Sequence, residues 1–184
     1  MRALTAGQPV VYTDAELLVV QGLLESAQTF IEDETGRRFE AATQTRYYKG
    51  DAVPFHDPTL LLVDDDLLTV TSLTNGDGTV IASSLYWLEP RNKSPKFGIR
   101  LKSGAAWSFG TDGEVAVAGT WGYTAAASAD VKRVTCRLAY LEQQRRTATG
   151  EVRVLGEGGF SFQASMPKDL AEWLTRRSRR RGNL

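Results

Sequence analysis

The chain has 184 residues, 42% hydrophobic and 24% charged, which is the balance of a globular protein with room for one ordinary domain or one domain plus an insertion. No apolar run approaches the ~20 residues of a membrane helix, and the N-terminal MRALTAGQPVVYTDAE lacks the charged-then-apolar pattern of a secretory signal. The formal net charge of zero hides a polarity: residues 1–128 hold 10 basic and 16 acidic side chains, a net of −6, whereas residues 129–184 hold 12 and 6, a net of +6. Such asymmetry suits an oriented electrostatic role, toward another subunit or toward nucleic acid.

The strongest element comes first. Thr13 with Glu16 forms a capping-box pattern, and Gly36 supplies a left-handed helix stop, so the spacing predicts a helix over 13–36. Leu17, Val19, Val20, Leu23, Leu24, Ala27, Phe30 and Ile31 fill one continuous arc, wider than the roughly 100° stripe a surface helix needs. A face that broad implies more than one neighbour: either a two-sided core within the chain, or a contact with another subunit through Val19, Leu23 and Phe30.

The period then changes. Gln44–Gly50, Leu60–Val63, Leu67–Leu73, Thr79–Ala82, Leu85–Glu89, Phe97–Leu101 and Glu114–Trp121 read as short strands. Asn75-Gly76-Asp77-Gly78 is a hairpin turn, with Gly76 at a position of positive φ, and Asp64-Asp65-Asp66 reads as a solvated connection between two strands. Helical spacing returns at Ser128 or Ala129, where Val131, Val134, Leu138 and Leu141 form a narrow apolar seam. It is the natural mate of the first helix, through Leu17, Val20, Leu24 and Ile31. Thr147–Ser165 reads as a Gly/Ser-rich loop, and Pro167 opens a last helix with Met166, Leu170, Trp173 and Leu174 on one face. Arg176–Arg181 then supplies five arginines. The expected fold is α+β: a long-helix bundle from residues 1–43 and 124–184, ending in a C-terminal helix and basic tail, with a small antiparallel sheet or barrel inserted at 44–123.

Catalytic constellations are missing. His56 is the single histidine, so neither a histidine metal cluster nor a Ser-His-Asp triad with a nucleophile elbow forms in one chain. Consecutive aspartates in an extended segment point to opposite faces, which disfavours a cation site at Asp64–Asp66. Gly156-x-Gly158-Gly159 lacks the Lys and Ser/Thr of a phosphate loop. Cys136, the only cysteine, excludes an intramolecular disulfide and reads as a small packed thiol despite Arg133 and Arg137 nearby. No cofactor, metal or covalent chemistry is expected. The arginine tail could bind phosphates, pair with an acidic protein surface, or serve as a solubilising end.

The order of these pieces resembles the head-to-tail connector (adaptor) proteins of tailed bacteriophages and phage-like particles. The helix end Ile31-Glu32-x-x-Thr35-Gly36-Arg37-Arg38-Phe39 and the passage GTWGYTAAASADVKRV carry the resemblance, together with the hairpin LLTVTSLTNGDGTVI, Tyr86–Pro90 and Trp107. It departs at Ala129 or Ser128, where family members often have proline. The resemblance implies a virion protein made in the bacterial host cytoplasm: a ring of twelve subunits beneath the portal, around packaged DNA that passes without sequence-specific contact. A downstream neck, stopper or tail protein would dock on it, and no membrane is involved. Under this reading Met166, Leu170, Trp173, Leu174, Arg176, Arg177, Arg179, Arg180 and Arg181 form the portal-binding segment. Two alternatives remain: another neck or tail-completion component, or a small non-specific nucleic-acid-binding protein that uses the arginine tail.

Overall fold

A computed structural model describes residues 13–110, 113–149 and 166–179, with the side chains of 146–149 outside the description. The described chain is α+β. Helix α1 spans Asp14–Thr35, strand β1 Ala42–Tyr48, β2 Leu60–Thr74, β3 Tyr86–Glu89, β4 Lys96–Leu101 and β5 Val115–Trp121; helices α2 and α3 span Ala129–Thr149 and Lys168–Arg177. Two compact units emerge, each assembled from separated stretches of sequence. One takes its described residues from Met1–Glu34 and Lys132–Arg177, the other from Thr35–Val131 and Ser178–Leu184.

The second unit is the sheet. Five antiparallel strands run in the order β1-β5-β2-β4-β3, so β5 is the hinge of the assembly: β1 joins only through it. Alternation explains why β5 can sit at the centre. Val115, Val117 and Trp121 all face the core, and Gly119 lets the Thr69 carbonyl approach where a Cβ would stand only 2.1 Å away. Tyr48, Leu61, Val63, Leu67, Leu73, Ile81, Tyr86, Ile99 and Leu101 complete that core, with Trp107 and Phe109 packed against it. The Asn75–Gly78 turn lies at the expected place, closed by Gly78 N–H donating to the Asn75 carbonyl at 2.9 Å. Two sequence expectations fail here. Thr79–Ala82 is no strand; it makes a single bridge, Thr74 to Val80, before the chain turns into the 3-10 helix Ser83–Leu85. Leu60–Val63 and Leu67–Leu73 are not two strands but one of fifteen residues, with Asp64–Asp66 inside it.

In the helical unit, the capping box forms as its chemistry requires. Thr13 N–H donates to Glu16 Oε2 at 2.8 Å, and Glu16 N–H donates back to Thr13 Oγ1 at 3.3 Å. Gly36, which follows the helix, adopts φ 61°. Leu23, Ala27 and Ile31, at four-residue spacing, form the buried stripe of α1; Val134, Leu138 and Ala139 are withdrawn on α2, and Leu170 and Leu174 on α3. The wide arc read from the sequence is therefore covered only in its C-terminal half. Leu17, Leu18, Val19 and Val20 are 51%, 67%, 43% and 43% exposed, so Leu17 and Val20 do not serve the packing assigned to them. Leu24 and Leu141 are half-buried. Ile31→Ala is expected to destabilise this unit by about 2–5 kcal/mol, the range for emptying a fully buried aliphatic site, and Leu24→Ala by clearly less. Urea melts of the two variants check the order; equal losses would mean that Leu24 is as enclosed as Ile31.

Candidate functional site

The sheet unit holds a charge cluster whose centre is the acidic triplet. β2 pairs with β4 as Leu62 to Gly98 and then as Leu67 to Lys96, so residues 63–66 of β2 stand opposite residue 97 alone. This bulge breaks the ladder and turns backbone carbonyls away from their normal partners. Arg179 takes two of them: its guanidinium donates to the Asp64 carbonyl, and through Nη2 to the Val63 carbonyl at 2.8 Å. Its backbone N–H donates at 2.7 Å to the Thr35 carbonyl, which the end of α1 leaves without a helical donor.

The carboxylates are also engaged. Asp66, 4% exposed, receives Arg37 Nη1 on both oxygens at 2.8 and 2.6 Å. Arg46 reaches across the β5 side chain Trp121, 4.6 Å over its ring, to Asp65 at 2.7 Å and Asp64 at 3.1 Å. The buried Tyr48 hydroxyl donates to Asp64 at 2.6 Å. Arg37 in turn lies 4.8 Å over the Tyr123 ring. The expected solvated connection holds only for Asp64, whose side chain is 71% exposed; Asp65 is half-buried and Asp66 buried, and Arg37, Arg46 and Arg179 offset the three charges. Among the described residues no group of three or more His, Cys, Asp or Glu side chains could hold a metal ion. Sequence reasoning missed this cluster, although Arg46 and Tyr48 at i, i+2 signal two polar groups on one strand face.

Burial alone would raise the Asp64 carboxyl, yet the Tyr48 hydroxyl and then Arg46 hold it below the usual carboxylate range. Burial and the hydrogen bond to Asp64 push the Tyr48 phenol well up. Asp169 is lowered by Arg137, and Asp57 by Thr59 and Arg100. A depressed carboxyl contributes stability above its unfolded pKa and loses it as pH falls through the folded one. The protein is therefore expected to keep a flat melting temperature near neutrality and to lose stability below about pH 4, the ordinary aspartate value. A melting temperature that rose on acidification would contradict these pairings.

The C-terminal helix is seated within its own chain. Leu170 and Leu174 are 2% and 6% exposed, so they are not an open docking face: a ten-residue helix is marginal alone, and it buries the apolar side it has. Arg137 of α2 pairs with Asp169 at its first turn. Met166 and Trp173 are half-buried, and the Arg177 guanidinium lies 4.4 Å over the Trp173 ring. Arg176 is exposed beside Glu172 at 3.3 Å. Arg179 is engaged on β2, not free for a partner's carboxylates, and Arg180 and Arg181 lie outside the described residues. Of the residues assigned to subunit packing, Leu23 is buried in its own chain, Phe30 is half-buried and Val19 stands open. Cys136 is exposed, not packed. No described helix is long and apolar enough to cross a membrane.

No family model matches the chain, and no curated protein matches it. Solved structures share its fold. A chain from the neck of the empty GTA particle computed with C6 symmetry aligns with a TM-score of 0.64 and 17% identity, over 95% of this chain and 85% of that one. One from the virion of the native gene transfer agent (GTA) particle aligns at 0.60 and 18%, over 98% and 88%. One from the neck of the native GTA particle computed with C12 symmetry aligns at 0.58 and 18%, over 95% and 96%.

Proposed function

We propose that this chain is a head-to-tail connector (adaptor) subunit in the neck of a phage-like virion. Twelve copies form a ring beneath the portal and around the DNA channel, and the ring carries the next neck or tail protein. The observation that carries this reading is the fold shared along nearly the whole length with chains of a gene transfer agent neck. The C6 and C12 symmetries used for those necks support a ring, and the lack of a nucleophile–base pair or metal cluster in the sequence supports a structural role.

Lateral packing falls to the open start of α1. Four consecutive exposed aliphatics, Leu17 to Val20, span most of the helix circumference, which suits a helix held between neighbours. Portal docking falls to the C-terminal segment through Met166, Trp173, Arg176 and Arg177, with Arg180 and Arg181 beyond, while Leu170 and Leu174 seat the helix in its own unit. Partly buried aromatics next to arginine are frequent interface anchors. The chain is made in the bacterial host cytoplasm and ends in the virion.

The test is molecular mass in solution with and without portal, together with micrographs of the mixture. Wild type is expected to form rings on portal, Val19→Asp to stay folded but monomeric, and Trp173→Ala with Arg176→Glu to stay folded but unbound. A wild-type chain that remains monomeric and portal-free at every concentration would sink the reading.

A further inference from the structure

We propose that the β3–β4 hairpin is a binding site for the phosphate backbone of duplex DNA. The sequence concentrates positive charge there: residues 86–102 hold five of the ten basic side chains of residues 1–128 and one of the sixteen acidic ones. What the structure adds is which of those cations are already spent. Arg100 is neutralised, by Asp57 at 2.8 Å and Glu89 at 3.2 Å. Arg91, Lys93, Lys96 and Lys102 pair with no carboxylate among the described residues; their described partners are neutral. Lys96 Nζ donates to the carbonyls of Pro90 at 2.6 Å and Arg91 at 3.1 Å, and Lys102 Nζ to the Ser84 carbonyl at 2.6 Å. Arg91 and Lys102 both stand within cation–π distance of one ring, Trp87, at 4.5 and 5.7 Å.

The indole N–H donates to Glu89 at 2.9 Å, a carboxylate already shared with Arg100, so the cations gathered around this ring outnumber the carboxylates beside it and raise the local positive potential. Elsewhere, Arg37 and Arg46 are tied to aspartates at 2.6 and 2.7 Å. The hairpin is also preorganised. Four strand pairs from Tyr86–Leu101 to Glu89–Gly98 fix its stem, and the Lys96 ammonium ties the turn carbonyls, so Arg91 and Lys93 are presented at an exposed tip. Lysine and arginine presented at the exposed tip of a fixed hairpin suit backbone contact that is blind to base sequence. The binding is a property of the isolated protein; only its assignment to DNA threading the particle rests on the proposed function.

The experiment is fluorescence anisotropy of a short random-sequence duplex with the purified full chain, across a salt series. Wild type is expected to bind with an affinity that falls steeply with salt. Arg91→Gln/Lys93→Gln is expected to flatten the log–log slope by about 2 and to weaken binding roughly 60-fold at 0.1 M salt, if each side chain makes one full phosphate contact. Lys93→Gln alone, which leaves the Trp87 packing intact, is expected to flatten it by about 1 and weaken binding roughly 8-fold. Arg176→Gln/Arg177→Gln is expected to bind like wild type. The proposal is overturned if wild type fails to bind at low salt, if the hairpin variants bind normally, or if only the α3 variant loses affinity. A change in self-association with DNA affinity untouched overturns it too, making the patch a contact between copies. Ring mass and portal binding are read separately, so failure here leaves the proposed function standing.

Discussion

Asp66→Ala is expected to lower the stability of the sheet unit by about 3–5 kcal/mol, because it breaks a largely buried ion pair by removing one partner. Both oxygens of Asp66 accept from Arg37, and the two side chains are only 6% and 18% exposed. Removing the carboxylate takes away both of those bonds, while the stacking on Tyr123 stays. A loss of that size is a large share of the roughly 5–15 kcal/mol that holds a typical domain. Replacing both partners with apolar residues, as in Arg37→Met/Asp66→Leu, should recover much of it, since the penalty belongs to the widowed charge more than to the pair. Urea melts followed by tryptophan fluorescence decide the matter: an Asp66→Ala midpoint equal to wild type would show that water reaches the site freely.

Gly76→Ala is expected to be the second most damaging change, at about 3 kcal/mol or more, through overpacking against backbone that cannot withdraw. A Cβ at Gly76 would stand 2.1 Å from the Phe109 carbonyl oxygen and 2.9 Å from that of Glu114. The turn is seated there by Gly76 N–H donating to the Ser108 carbonyl at 2.7 Å and by the Asn75 side chain, which bonds Ala106 and Ser108. The reason differs from the one the sequence suggests. It is Gly78, at φ 83°, that takes the left-handed conformation, and nothing lies within 4 Å of a Cβ there. Gly78→Ala should therefore cost only about 1 kcal/mol. Thermal melts that rank the two variants the other way would restore the positive-φ explanation for Gly76.

These two sites also mark where sequence reading stops. Local chemistry was readable: the Thr13–Glu16 box, the Gly36 stop, the Asn75–Gly78 turn and the alternation of Val115–Trp121 are set by residues within a few positions of each other. The acidic triplet was not. Aspartates are poor strand formers, and nothing near them says otherwise. Their counterions come from residues 37, 46 and 179, up to 115 positions away, so nothing local marks the strand as continuous. The α1 arc shows a third limit: periodicity marks which face is apolar, but not how much of it the chain itself covers. Leu23 and Val19 look alike in the sequence and differ tenfold in exposure.

The strand order also dictates a timetable. β2, β4 and β3 can pair as soon as their own turns close, but β1 has no neighbour until β5 arrives, and the Trp121 indole N–H bonds a carbonyl 77 residues back, on Gln44. Arg46 rides on β1. In a refolding chain the three adjacent carboxylates therefore meet their second arginine only at that late step, after the entropy of a long loop has been lost. Until then they repel one another across a few ångströms of one strand. Salt shortens that wait by screening the repulsion, while in the finished sheet it weakens the more exposed of the same charges, the Arg46–Asp64 pair. Salt thus speeds the refolding limb of the kinetics and, through one exposed carboxylate, speeds the unfolding limb as well.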